Sequence, residues 1–356
     1  MSNEPSPQHG DPASEPVIRG TKAPKVSIVM CFFEAEDRVD HAVSELAGLD
    51  YPNFEAILID DGSTDGTAAA LQRATADVKG FRVESLAQNA GAAEARNHGL
   101  RLATGDYVWF PDDDDAWEPD IVRRLAEAAI SSGADIAICR ARATPFGSAG
   151  VEAIDAALPE GTYTGDQLIE HLLRGEAQGH LWNKLFRRST IAEVRFPSLS
   201  IFEDHPFVVE AALRARTVQV IDDTLYTYVR RQGSLASSLD AAKIKTKKES
   251  VSRILELVRE DDELRDPRLL ELFEVQALYL PAVNALAADQ ALWRSETTLR
   301  GSMLEHLTFS RGLRLLRASR STGIQVLLAA VLGPAYGALY RVVRSSPVFF
   351  RLAARV

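Results

Sequence analysis

Four consecutive aspartates, Asp112 to Asp115, close the apolar run Tyr107–Val108–Trp109–Phe110. Neighbouring carboxylates roughly 4 Å apart repel by about 4 kcal/mol at an effective dielectric near 20. A chain keeps such a block most readily where a cation neutralises it, and oxygen-only ligands favour Mg²⁺ or Mn²⁺. A second acidic cluster, Asp60-Asp61-Gly62-Ser63-Thr64-Asp65, ends another apolar run, Ala56–Ile59. Two acidic strand ends in one chain imply a metal–diphosphate site. A third acidic pair, Glu203-Asp204, stands just ahead of His205-Pro206. A carboxylate there suits a general base or, more plainly, the start of a helix.

Each cluster has a plainer reading. Asp, Ser and Thr at 60–65 also suit a turn and a helix N-cap, and Asp112–Asp115 on its own suits a solvated loop. Asp61, Ser63, Asp65 and Gly66 mimic half of an EF-hand loop, but Gln72 stands where the closing glutamate belongs, and a strand precedes it. That excludes calcium. The four-aspartate block fails the same test at Ala116 and Trp117.

Bringing these groups together requires a particular order of elements. Apolar runs of strand length occur at Val26–Phe33, Phe54–Ile59, Phe81–Leu86, Tyr107–Phe110 and Ile136–Cys139. Helical spacing separates them at Asp37–Leu49, Thr67–Ala76, Gly91–Ala103 and Glu118–Ser132, the last with Pro119 near its first turn. This alternation predicts an α/β fold, a parallel sheet covered by helices on both faces. Ligands then bind beyond the carboxyl ends of the strands, where both acidic clusters lie. Residues 140–161 read as a loop or insertion, followed by a helix at Thr164–Arg174, the run Trp182–Phe186, a helix at Phe207–Ala215 and a strand at Val218–Val229. From Ala241 the pattern is helical, at Ile244–Val258, Arg268–Ala288 and Ser295–Phe309, which puts a domain boundary near Asp240. No internal repeat is visible.

The chain has 356 residues, 46% of them apolar, enough for one large domain and an accessory one. Its two cysteines, Cys31 and Cys139, sit inside apolar runs, which excludes a disulfide framework and suits a reducing cytoplasm. Met1 to Pro24 is rich in Pro, Ser, Glu and Gly and reads as a disordered tail rather than a signal peptide. The net charge of −10 is unevenly spread: after Glu305 there is no acid but there are eight arginines, so removing +8 leaves about −18 on the rest. An acidic body excludes nucleic acid as partner, because phosphate binding needs a basic face.

In the C-terminal region the seventeen-residue apolar stretch Ile324–Tyr340 contains Gln325, Gly333, Pro334 and Gly337. A membrane span needs about 20 residues. Arginines flank the stretch, and Phe349, Phe350 and Leu352 continue it. It reads as a helix pair lying on an anionic membrane surface, the alternative being a homo-oligomer interface. The expected units are 1–24 (tail), 25–240 (α/β domain), 241–310 (helical accessory domain) and 311–356 (basic apolar segment).

Val26-Ser-Ile-Val-Met30, Ile57-Leu-Ile-Asp-Asp-Gly-Ser-Thr-Asp-Gly-Thr67, Asn89-Ala-Gly-Ala-Ala-Glu-Ala-Arg-Asn97 and Gly105-Asp-Tyr-Val-Trp-Phe-Pro-Asp-Asp-Asp-Asp115 together closely resemble the family 2 glycosyltransferases. The resemblance runs roughly from Pro24 to Ser238. It implies the GT-A fold, with a mostly parallel Rossmann-like sheet, and a nucleotide-sugar donor. By resemblance, Asp61 or Asp60 holds the donor's base or ribose, and Arg96 lines the same pocket. Asp112 and Asp114 are the family's Asp-x-Asp element, with Asp113 beside the donor and Asp114 or Asp115 nearest an Mg²⁺ or Mn²⁺ ion. Where the family carries Pro-x-Tyr-Asn after its first strand, this chain has Cys31-Phe32-Phe33-Glu34. Phe33 still offers a ring face to the nucleobase, with Glu34 alongside.

Glu203-Asp204 resembles the family's Glu-Asp pair, whose second acid deprotonates the acceptor hydroxyl. Trp182-Asn-Lys184 matches an element ahead of it and, with His205, would contact the acceptor, although Trp182 suits core packing equally. Arg231-x-x-Ser234 resembles a segment that closes over the diphosphate, where a guanidinium fork suits phosphate oxygens.

The resemblance and the basic tail together imply an inverting glycosyltransferase, cytoplasmic and peripheral on the inner face of the cell membrane. It would move a hexosyl or N-acetylhexosaminyl group from a UDP-linked sugar to a hydroxyl of a surface polysaccharide, teichoic acid (a polyol phosphate) or lipid-linked acceptor. A sugar-phosphate nucleotidyltransferase is the alternative enzyme, but its Gly-rich basic loop is replaced here by the acidic Cys31–Asp37. A non-catalytic scaffold on the same fold is the alternative outside enzymes.

Overall fold

The computed structural model describes residues 17–18, 21–144, 152–230, 240–261, 264 and 266–344. A mixed ten-stranded sheet forms its centre. Val26–Phe32 (β1), Phe54–Asp60 (β2), Phe81–Ser85 (β3) and Tyr107–Trp109 (β4) are mutually parallel, with β1 between β2 and β4. Successive side chains of a strand point to opposite faces, so alternate residues of β1 enter different layers. Val26, Ile28, Met30 and Phe32 join one apolar cluster, together with Val43 and Leu46 of α1 (Val39–Ala47) and Leu71 of α2 (Thr67–Thr75). Val29 faces the opposite layer, which includes Ala95 and Leu100 of α3 (Ala92–Leu102).

The remaining strands are Ala116–Trp117 (β5), Ile136–Ala143 (β6), Glu152–Ile154 (β7), Gly161–Tyr163 (β8), Lys184–Arg187 (β9) and Val218–Tyr228 (β10). The main order across the sheet is β8-β10-β6-β9-β4-β1-β2-β3, with β5 on β10 and β7 on β6. The antiparallel members of this mostly parallel sheet lie in its second half. β9 inserts antiparallel between β4 and β6. Its four residues set Leu185 and Phe186 between Lys184 and Arg187, too short and too mixed to announce a buried strand. β6 also runs past Cys139 to Ala143, where β7 pairs with it.

Helix starts follow capping chemistry. In α5 (Gly165–Arg174) the Thr164 hydroxyl accepts from the Gln167 amide while the Gln167 side chain accepts from the Thr164 amide, a reciprocal capping box. α4 (Ile121–Ser132) begins after Asp120, leaving Pro119 just outside the helix. α6 (Asp204–Arg214) starts three residues before the expected Phe207. Pro206 is tolerated there because first-turn amides have no intrahelical partner to lose.

The helices beyond residue 240 extend the α3 layer. Ile244, Ile254 and Val258 of α7 (Ala241–Arg259) belong to the same apolar cluster as Val29, Phe186 and Phe207. Phe273 of α8 (Pro267–Glu274) and Val283 of α9 (Leu280–Ala288) continue it. A π-helical turn, Val275–Tyr279, joins α8 to α9 ahead of Pro281, whose ring would clash with the carbonyl four residues back in an uninterrupted α-helix. The cluster reaches Tyr336, so residue 240 separates a sheet from helices but does not separate two cores.

The C-terminal helices are α10 (Gln290–Ser295), α11 (Thr297–Glu305), α12 (Phe309–Leu315), α13 (Arg320–Leu332) and α14 (Tyr336–Arg344). A 3₁₀ turn at Gly333–Ala335, with Gly333 at φ +49°, breaks α13 from α14. Among the described residues, two helical stretches are long and apolar enough to cross a membrane. Pro267–Ala288 is mostly buried, whereas Arg320–Arg344 is mostly exposed and carries this break.

Candidate active site

The carboxyl ends of β1, β2 and β4 meet at one edge of the sheet. Phe32 of β1 pairs in register with Asp60 of β2, and the Asp61 amide donates to the Phe32 carbonyl at 2.8 Å. The loop after β2 folds tightly on itself. Asp60 accepts from the Ser63 amide at 3.1 Å. Asp61 accepts from the Ala90 and Gly91 amides at 2.8 and 2.9 Å, tying this loop to the start of α3. Gly62 is required at the crossing: its φ is +67°, and a Cβ there would lie 2.3 Å from the Gln88 carbonyl carbon. Asp60 and Asp61 are thus buried, at 2% and 3% exposure, and held by backbone amides at the edge of the site. Phe33, 44% exposed, and Glu34 are among the groups open to a ligand here. Glu34 reaches across to the Thr64 amide at 2.8 Å and has left-handed backbone, φ +46°.

The four aspartates after β4 divide into different roles. Asp112 meets the Arg96 guanidinium at 3.0 Å. Asp113 meets Arg38 at 2.8 Å, a partner not anticipated from the sequence. Burial, opposed by Arg38, still pushes the Asp113 carboxyl up to about 6. Asp114 is half-buried between them. Asp115 turns inward, accepting from the Tyr226 hydroxyl and the Val229 amide, each at 2.8 Å. Burial and then the charge of Asp112 push it up to about 8. Both its oxygens are engaged inside the protein, so Asp115 is corrected from metal ligand to anchor of the loop. Tyr226, missed in the sequence, also accepts from the Asp112 amide at 3.2 Å.

Arg96, on α3, is the hub. Its Nη1 donates to Glu203 at 2.5 Å and to Asp204 at 3.2 Å, while Nη2 donates to Asp112. Burial works against its charge, but Asp204, Glu203 and Asp112 more than offset that and hold it well above the usual arginine value. Its guanidinium therefore joins the strand-end aspartate to the acidic pair, where the expectation was a wall of the nucleobase pocket. Burial, together with Glu203 and Asp112 and against the pull of Arg96, pushes the Asp204 carboxyl up to about 8. A carboxyl poised near neutrality suits proton abstraction.

The expected acceptor residues separate. Lys184 is fully buried, its ammonium donating to the Gln178 carbonyl at 2.9 Å, the His180 carbonyl at 2.8 Å and Asn183 Oδ1 at 2.9 Å. It is an internal brace and not an acceptor contact. Trp182 is 3% exposed and stacks between Tyr226, with ring centroids 4.5 Å apart, and His180 at 4.6 Å. It packs the core, and His180 is the half-buried face of that stack. His205 adjoins Asp204, with a buried Nε2 that has no hydrogen-bond partner among the described residues, and burial depresses its pKa to about 3. Arg231 and Ser234 lie outside the described residues.

The carboxylates gathered here outnumber Arg38 and Arg96, and they offer oxygen donors. That donor set fits a hard divalent cation. Among the described residues no three histidines, cysteines or acids converge into a closed metal cage. A Mg²⁺ held through one or two carboxylates and completed by substrate phosphates needs none.

Residues 27–189 match the family model described as Glycosyl transferase family 2. A cholesterol galactosyltransferase of Borreliella burgdorferi is 30% identical over 227 residues, which are 60% of this chain and 63% of that protein. The chain thus spans less than two thirds of that relative's length. Among solved structures, S. aureus TarS 1-349 in complex with UDP-GlcNAc matches with a TM-score of 0.66 at 20% identity, over 89% of this chain and 92% of that one. The mannosyltransferase PcManGT from Pyrobaculum calidifontis, in complex with GDP-Man and Mn²⁺, gives 0.52 at 18% identity, over 95% and 92%. At these identities the structural likenesses establish the fold: a GT-A-like sheet flanked by helices, with a helical C-terminal region.

Proposed function

We propose, given that residues 27–189 match the family model described as Glycosyl transferase family 2, that this chain is an inverting glycosyltransferase. It uses a nucleoside-diphosphate sugar, UDP-linked on our reading, and a hydroxyl of a cell-surface glycan or glycolipid. One observation carries the reading: a single guanidinium, Arg96, holds Asp112 at 3.0 Å and Asp204 at 3.2 Å. Donor-side acid and candidate base therefore share one anchor. Asp204 takes the proton of the acceptor hydroxyl as its oxygen attacks the anomeric carbon, and the nucleoside diphosphate departs from the opposite side. Glu203 keeps Arg96 in place. Mg²⁺ or Mn²⁺ at Asp112 and Asp114 would neutralise charge developing on the diphosphate.

Donor binding tests the metal assignment. UDP at about 100 times its Kd should stabilise the protein by roughly 2.7 kcal/mol with Mn²⁺ present, and far less in chelator. Asp112→Asn or Asp114→Asn should erase that difference in a thermal-shift titration. Equal stabilisation in chelator removes the metal from this site.

The C-terminal helices support a peripheral position on the cytoplasmic face of a membrane. Ile324, Leu328 and Val331 of α13 are 52, 42 and 69% exposed at helical spacing, and Phe309 and Leu313 of α12 are likewise exposed. Arg311 and Arg314 pair with Glu274 and Glu271. The attraction to anionic lipid therefore falls to the other arginines, among them the exposed Arg317, Arg320 and Arg344, at about 1 kcal/mol each near the surface. The protein should sediment with anionic vesicles and be released by salt. Replacing Ile324, Leu328 and Val331 by serine should abolish sedimentation without changing UDP binding. If the protein ignores vesicles and this variant falls from oligomer to monomer, the face is a subunit interface.

A further inference from the structure

Phe202, immediately ahead of Glu203-Asp204, has left-handed backbone, with φ +66°. A bulky side chain is strained there, and such strain persists only where the surroundings impose it. The surroundings are two residues on one face of α7. The Ser250 hydroxyl donates to the Phe202 carbonyl at 2.8 Å, and the Lys247 ammonium lies 4.5 Å from the centroid of the Phe202 ring. Residues three apart on a helix are neighbours on its surface, so both contacts come from the same stripe. Ser250 is buried, at 3% exposure. Glu203, the N-cap of α6, makes no side-chain cap of its own, so nothing within α6 fixes how the chain enters it. On the far side of the base, the His205 ring packs edge-on against Phe273 of α8 at 5.7 Å. Gly179 leaves it no room to shift: a Cβ there would lie 2.3 Å from the imidazole.

We propose that Ser250 and Lys247 of α7 are positioning residues for Asp204, holding Phe202 in the conformation that presents the base to Arg96 and the acceptor. The inference rests on the reading of Asp204 as general base. It assigns the helices after residue 240 a part in the chemistry, although they lie outside the stretch 27–189 that matches the family. If Phe202 relaxed to negative φ, the peptide joining it to Glu203 would rotate and carry the carboxyl away from Arg96. Misplacement by about 1 Å can cost on the order of 10² in rate without touching the reacting atoms.

The test uses the full chain and Mn²⁺. The donor is whichever of UDP-glucose, UDP-galactose and UDP-GlcNAc gives the largest thermal shift, with water as acceptor. Ser250→Ala should lower kcat for UDP release about tenfold or more, while donor KM and the Mn²⁺-dependent thermal shift stay at wild-type values. Ser250→Thr, which keeps the hydroxyl, should recover most of the rate. Lys247→Met should lower kcat less, and Lys247→Arg should restore it. Unchanged kcat in both Ser250→Ala and Lys247→Met, beside an inactive Asp204→Asn, overturns the clamp and leaves the base assignment standing. Parallel loss of kcat and donor binding in Ser250→Ala overturns it too, as the mark of a merely structural serine. Full activity in Asp204→Asn removes the base and the clamp together.

Discussion

Asp204→Asn should lower sugar transfer by at least ~10², the lower end of what a positioned general base contributes, while UDP and Mn²⁺ bind as before. The substitution is nearly isosteric and leaves an oxygen to accept from Arg96 Nη1, so the site keeps its shape and loses only the proton acceptor. The pH profile supplies an independent readout. With the Asp204 carboxyl pushed up to about 8, the protonated form, which is inert as a base, prevails at neutrality. kcat/KM, which reports the free enzyme, should therefore fall with a one-proton limb as pH drops below about 8. Any residual activity of the asparagine variant should lack that limb. A variant that transfers normally, or a wild type flat between pH 6 and 9, would sink the assignment.

The second large effect concerns stability. Arg96→Met should destabilise the protein by ~3–5 kcal/mol, the usual scale for removing one partner of a buried ionic network. The side chain is 11% exposed and Glu203 is 8% exposed, so little solvent screens the charges left behind. Asp112 and Asp204 would lose the same cation. Arg96→Lys preserves the charge, but a single ammonium cannot present the planar fork that reaches acids on two sides. It should recover much of the stability and little of the activity. Urea denaturation and UDP release, measured on both variants, separate these outcomes. If Arg96→Met unfolds within ~1 kcal/mol of wild type, the hub is not what holds the acids together.

The parts of this site that can be read from sequence are those written locally. Apolar runs ending in Asp60-Asp61 and Asp112–Asp115 specify strands with acidic ends, and the alternation of strands with helices brings those ends to one edge. What the sequence withholds is direction. Asp112, Asp113 and Asp115 are chemically alike, yet one faces Arg96, one Arg38 and one Tyr226. Those choices depend on residues 16, 75 and 111 positions away. Lys184 and, in one of the two readings its type allowed, Trp182 are harder to read for the same reason. Their types suit ligand contact, and only the antiparallel insertion of β9 buries one among carbonyls and the other in a ring stack. Arg96 shows the reverse: its position in the site was legible, and its partners, one of them 108 residues away, were not.

The unbroken apolar cluster that joins the sheet to the last helices also sets an order of events during synthesis. A ribosome adding ~5–20 residues per second needs roughly five to twenty seconds to make residues 241–344 once residue 240 is in place. For that interval Phe186, Phe207 and Val209 lack the cover of Ile254, Val258 and Phe273 that the finished chain gives them. The contacts flanking Asp204 are still to be made during that time. Completion of the fold around Asp204 therefore waits on the helices after residue 240.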